Sequence, residues 1–298
     1  MGAPKPKQVV CDFSRALLCG ISLAFNNQTI KSYVDDSFNA MLRPFGARKR
    51  PDTIIRVDVA HLIHAACRWN CWKFVRHYSI KEFYVRCIAL MVECLSFSDF
   101  QKIFYLTCVV ALQSYQDVEI DYSEILTAKD ARKTLEGEIS VRAIRVNFDE
   151  SAGDEPEHPK AQAMTECNEL DQNGSSIGDW VDEQVGRAKK NQRDGEELNP
   201  LFLPKFVNIL SQRVKEFPLW TSVGMDCSTH ATSSYVEGYF NDIKTRILKT
   251  GPMRVDKFLI KHANDIHGAT LLFSSSMINF KATRNVHNTD LMMKEESQ

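Results

Sequence analysis

Asp12 and Asp58 each directly follow a short apolar run, KQVVC (7–11) and TIIRV (53–57). Such runs read as buried strands, and two of them separated by helical sequence read as parallel partners joined through a crossover. Carboxylates at the C-terminal ends of parallel strands sit where open α/β sheets bind ligands. Adjacent strands lie about 4.8 Å apart, so the two side chains can converge on a divalent metal. The competing role is structural, because Asp is a favoured N-cap and helical sequence follows both residues. Sequence alone leaves both roles open.

Glu237 is a third candidate, in SSYVEGYFNDIKTRI. On a helical wheel Tyr235, Val236, Tyr239, Phe240, Ile243 and Ile247 gather on one side, and Glu237 falls away from them beside Asn241 and Lys244. A solvated acid near a helix start accounts for this placement. So does a metal-and-phosphate site, since Lys244, Arg246 and Lys249 edge the same helix. His61, His64, Cys67 and Cys71 spell H-x2-H-x2-C-x3-C. One straight helix usually supplies only two of zinc's four ligands, and no second Cys/His pair stands at matching spacing. Zinc is therefore not expected, and buried thiols with hydrogen-bonded imidazoles are. The sequence has no Walker A loop, G-x-G-x-x-G, G-x-S-x-G or H-E-x-x-H.

The elements that must hold these residues are mostly helical. Ser14 reads as an N-cap for a helix over Arg15–Phe25, broken by Asn26-Asn27, with a second helix over Ile30–Leu42. A helix over Val59–Phe74 follows the second strand. From Ser79 to Tyr115 the pattern is wholly helical, with stripes Tyr84/Ile88/Met91/Leu95 and Ile103/Leu106/Val110/Ser114. Further helices are expected over 122–135, over 201–217 with Pro204 in the first turn, over 228–249, and over 254–267 up to Gly268. Residues 149–199 are polar and acidic and read as a mobile loop with at most one short helix near Trp180. Two parallel strands do not make an independent sheet. The fold class is thus α/β, mostly helical, with about two parallel strands.

The chain has 298 residues and a net charge of −1, which hides a segregation. Residues 1–86 hold 14 Lys/Arg against 6 Asp/Glu, and 149–199 hold 5 against 14. Basic surface attracts polyanions, so duplex DNA is an expected partner, with Arg48, Lys49, Arg50, Lys244, Arg246 and Lys249 as phosphate contacts. No run of about 18 apolar residues exists, so neither a membrane span nor a membrane partner is expected. The N-terminus does not read as a signal peptide. Nine scattered cysteines read as reduced thiols of the cytosol or nucleus.

Three strings carry a family resemblance: VVCDFSRALLCGISLAF (9–25), IIRVDVAHLIHAACRW (54–69) and SSYVEGYFNDIKTRILKTGPMRVDKFLIKH (233–262). In order and separation they resemble the catalytic-domain blocks of Mutator-like DDE transposases of the foldback-element type. The first resembles the block around the second catalytic Asp, the second the D-x-x-H block, and the third the block with the catalytic Glu on a helix. The resemblance implies an RNase H-like core whose carboxylates hold two Mg²⁺ ions for DNA cleavage and strand transfer. It assigns catalytic and metal-binding roles to Asp12 and Glu237, with Asp58 and His61 site-adjacent. It implies a first part of the core over 1–76, a helical insertion over 77–148, the acidic loop over 149–199, returning helices with the rest of the core over 200–268, and a tail over 269–298. It further implies duplex transposon ends as partner, room for a homo-oligomer, and a nuclear location. The family's first catalytic Asp lies upstream of the Asp12 block, and the sequence begins 11 residues before Asp12. The expectation is therefore an N-terminally truncated catalytic-domain fragment, inactive alone. The alternative is a non-catalytic helical DNA- or protein-binding module domesticated from a transposon.

Overall fold

A computed structural model of the chain describes residues 5–42, 51–75, 77–120, 127–142, 144, 174–190, 194–223 and, between 254 and 271, all but 256, 265 and 269. The chain divides into two units, Met1–Ser233 and Ser234–Gln298. In the first unit, β1 (Gln8–Cys11) and β2 (Ile54–Val57) pair in parallel, in the register Gln8↔Ile54 to Cys11↔Val57. Backbone bonds from Ile54 N–H to Lys7 O and from Asp58 N–H to Cys11 O close the ladder at both ends. The strands are therefore level, and Asp12 and Asp58 leave the sheet together.

A parallel pair requires a long crossover, and α1 (Arg15–Asn26) and α2 (Ile30–Leu42) supply it. Asn27 ends α1 in the left-handed region (φ 53°), a conformation Asn tolerates. The neighbouring Asn26 clasps Thr53 by donating to its carbonyl and accepting from its amide, which fixes where β2 starts. Ile55 N–H donates to the Tyr33 hydroxyl at 2.8 Å, tying α2 to the strand.

Asp58 begins α3 (Val59–Cys67). The expected helix to Phe74 is interrupted: α3 ends at Cys67, and a 3-10 turn covers Asn70–Phe74. The Trp72 indole donates to Ala66 O, and the break brings Trp69 and Cys71 into the core. The wholly helical stretch likewise divides, into α4 (Tyr78–Glu93) and α5 (Phe97–Leu112), with Ser96 capping α5 through Asp99 N–H. Leu95 falls in that break and is exposed instead of continuing its stripe. Next come α6 (Ala128–Val141), α7 (Ser176–Ala188) and α8 (Pro204–Val214), then a 3-10 turn at Phe217–Leu219. Helix α5 is the centre, packed by α4, α6, α7 and α8.

Of the segment read as an acidic loop, 174–190 and 194–199 are described, and they are docked. Trp180 of α7 enters an aromatic cluster with Phe38, Phe97, Phe100, Phe104 and Phe217. The Asn199 amide donates to Val110 O and Gln113 O. In the second unit the described residues between 255 and 271 are helical, and Gly268 lies within that helical stretch, not at its stop. No helix among the described residues is long and apolar enough to cross a membrane.

Candidate functional site

The two strand-end aspartates behave differently. Asp58 is buried (2 % exposed) and is the N-cap of α3, its Oδ1 accepting from Ala60 N–H (2.7 Å) and His61 N–H (3.3 Å). The capping role therefore holds for Asp58, which relieves two of the unpaired amides that open any helix. Asp12 caps nothing. Ser14 occupies the N-cap position of α1, and the Asp12 carboxylate stands 59 % exposed.

His61 joins the two. One turn into α3, its Nδ1 lies 3.3 Å from Asp12 Oδ1 and 3.8 Å from Asp58 Oδ2. The imidazole thus stands between an exposed carboxylate and a buried one at one end of the sheet. Next to Asp12, burial pushes the Cys11 thiol up to about 11, helped by the Asp12 charge, so this thiol stays protonated and is no nucleophile at neutral pH.

Behind the Asp12 turn lies a buried ion-pair network. The Arg15 guanidinium donates to Glu216 Oε1 at 2.7 Å, and Glu216 is almost wholly buried. Arg213 approaches Glu216 Oε2 at 3.9 Å and lies over the Phe13 ring at 5.1 Å. The Trp220 indole donates to Arg213 O. Wheel reasoning missed Glu216 because helix-end charges usually face solvent. The one available signal was a charged pair, Lys215-Glu216, running straight into the apolar FPLW.

The H-x2-H-x2-C-x3-C string does not gather. His64 is exposed, Cys67 closes α3, and Cys71 lies in the core with its thiol pushed up to about 12 by burial. Among the described residues no group of three or more His, Cys, Asp or Glu is arranged to hold a metal ion. Magnesium takes hard oxygen ligands and often makes do with one or two carboxylates plus substrate phosphates and water. Asp12 fits that minimal role, its carboxylate being exposed. Asp58 does not, because its Oδ1 is committed to two amides. Glu237, Lys244, Arg246, Lys249, Arg48, Lys49 and Arg50 lie outside the described residues.

No protein-family model matches the chain. No solved structure matches it significantly. Among curated proteins it is similar to the "120.7 kDa protein in NOF-FB transposable element" of Drosophila melanogaster, 31 % identical over 284 residues, covering 91 % of this chain and 26 % of that protein. The chain spans about a quarter of the length of the curated relative it matches.

Proposed function

We propose that this chain is transposon-derived and carries part of a Mutator-like, DDE-type catalytic domain that acts on duplex DNA in the nucleus. Its similarity to a protein encoded in a transposable element supports the origin. The observation that carries the site is the level parallel pair β1–β2, which sends Asp12, Asp58 and His61 to one sheet end with only Asp12 presenting an accessible carboxylate. In this reading Asp12 holds Mg²⁺ at the edge of an RNase H-like core, and Glu237 keeps the catalytic, metal-binding role that the family resemblance assigns to it. Asp58 sets the start of α3, and His61 steadies one Asp12 oxygen and leaves the remainder of the carboxylate to a ligand. Magnesium, when bound, would polarise a phosphoryl oxygen and activate water. Arg48, Lys49, Arg50, Lys244, Arg246 and Lys249 would track the phosphates.

A second reading rests on a specific observation: of the Asp12–His61–Asp58 group only one carboxylate is accessible, which favours a domesticated DNA-binding module without chemistry. One experiment separates the two. The full chain is incubated with duplex DNA and Mg²⁺ over a salt series. Binding that Mg²⁺ strengthens and Asp12→Asn weakens supports the catalytic domain, which is expected to be inactive alone. Salt-sensitive binding indifferent to Mg²⁺ and to Asp12→Asn supports the module. Binding that is flat with salt contradicts both.

A further inference from the structure

Two buried charges on consecutive residues tie the end of α8 to distant parts of the fold. Lys215 pairs with Asp182 of α7 at 3.1 Å, and Glu216 pairs with Arg15 of α1 at 2.7 Å. Arg15 stands three residues after Asp12, and Phe13, the residue next to Asp12, lies under Arg213, itself 3.9 Å from Glu216. Both neighbours that can orient the Asp12 turn therefore converge on one buried carboxylate. Within the turn Ser14 N–H donates to Asp12 O, Leu18 N–H donates to Ser14 O, and Ser14 makes no side-chain cap, while Asp58 N–H to Cys11 O and His61 beside Asp12 Oδ1 hold its start. Phe217 and Trp220, which follow Glu216, are locked in the aromatic cluster around Phe100, so the carboxylate is held on a rigid support.

We infer that Glu216 is a positioning residue for Asp12, aiming the exposed carboxylate through Arg15 and the Arg213–Phe13 stack. The inference deepens the reading of Asp12 as the functional carboxylate and rests on it. It also makes the helical region from α7 to Trp220 the support of the strand-end site, since Glu216 and Lys215 belong to that region.

The test compares amide hydrogen exchange in the full-length chain with Mn²⁺-induced broadening of amide NMR signals. In Glu216→Gln, exchange at Ser14 and Leu18 rises about tenfold or more while amides in the middle of α5 keep their wild-type rates, because local opening is decoupled from global unfolding. Mn²⁺ broadening at Asp12 and Phe13 weakens in the same variant. Removing one partner of a buried pair can prevent folding, so the double variant Arg15→Met/Glu216→Leu, which removes both members of the closest pair, is measured alongside. It folds, and Ser14 and Leu18 again exchange faster than in the wild type. Unchanged rates at Ser14 and Leu18, or rates that rise equally throughout α5, overturn the positioning role. If Mn²⁺ broadens nothing near Asp12 in the wild type, the metal reading fails on its own, and the exchange comparison still decides the role of Glu216.

Discussion

His61 Nδ1 lies 3.3 Å from Asp12 Oδ1, so the residue ending one strand meets the helix that follows the other. The contact depends on where α3 begins. Asp58 caps that helix, and the third residue after a cap returns to the strand end within one turn. Asp58 thus serves the site through backbone geometry, whereas Asp12 offers its carboxylate.

The first prediction separates these roles. Asp58→Ala loses the cap and destabilises the protein by about 1–2 kcal/mol, while Asp58→Asn, which keeps an acceptor, costs less. Asp12→Asn leaves stability within about 0.5 kcal/mol, as for an exposed residue outside the core. Urea unfolding midpoints check all three. A larger loss for Asp12→Asn than for Asp58→Ala would reverse the assignment.

The parallel pair and its two aspartates were legible because each strand is a short apolar run closed by Asp, and α2 appears over the residues its pattern predicts. The break after Cys67 was not legible, since it depends on Trp72 donating to a carbonyl that a continuing helix would use. Neither was Glu216. Its partner Arg15 stands 201 positions earlier, and no local pattern encodes a pair at that separation. The docking of α7 was half legible: a helix at Trp180 fits the sequence, but the acidic composition hid the aromatic cluster that receives it.

Trp180 anchors α7, so Trp180→Ala costs about 3 kcal/mol or more through lost packing. Among the described residues its indole N–H has no hydrogen-bond partner. Trp180→Phe therefore gives up shape but no bond, and costs under about 1.5 kcal/mol. Thermal melts of both variants check this. Equal losses would place the value of Trp180 in something other than packing.

Gly195 sits where a Cβ would collide with Asp117 Oδ1 and come 2.8 Å from Tyr115 Cβ. Asp117 accepts from Glu196 N–H and Glu197 N–H, and these bonds hold its carboxyl below the usual carboxylate value. Gly195→Ala loosens this clasp and destabilises by about 1–3 kcal/mol. The depressed Asp117 value adds stability above the ordinary carboxylate pKa, and that stability is lost as pH falls through the folded value. Asp117→Asn should flatten the acid limb of a stability–pH curve, and an unchanged limb would contradict the clasp.

Buried thiols set the alkaline limb. Burial raises Cys71, Cys87 and Cys94 from 9.0 to about 12, and Cys11 to about 11. A raised folded value means the native state keeps protons that the unfolded chain releases. Stability is therefore full below pH 9.0 and falls as pH rises toward these values. Thiol titration should show exposed Cys19 reacting in the native state, with Cys71, Cys87, Cys94 and Cys108 reacting on unfolding. Rapid native labelling of that buried set would contradict the core.

The central proposal is that Asp12 is the accessible carboxylate of a metal-dependent DNA site. Mn²⁺ titration of the isotope-labelled full-length chain in the presence of duplex DNA tests it most directly, by mapping which amide signals broaden. The account predicts that Asp12, Phe13 and His61 broaden together, that Asp12→Asn abolishes the effect, and that Asp58→Asn leaves it in place. Broadening that spares Asp12, or that persists in Asp12→Asn, would contradict it.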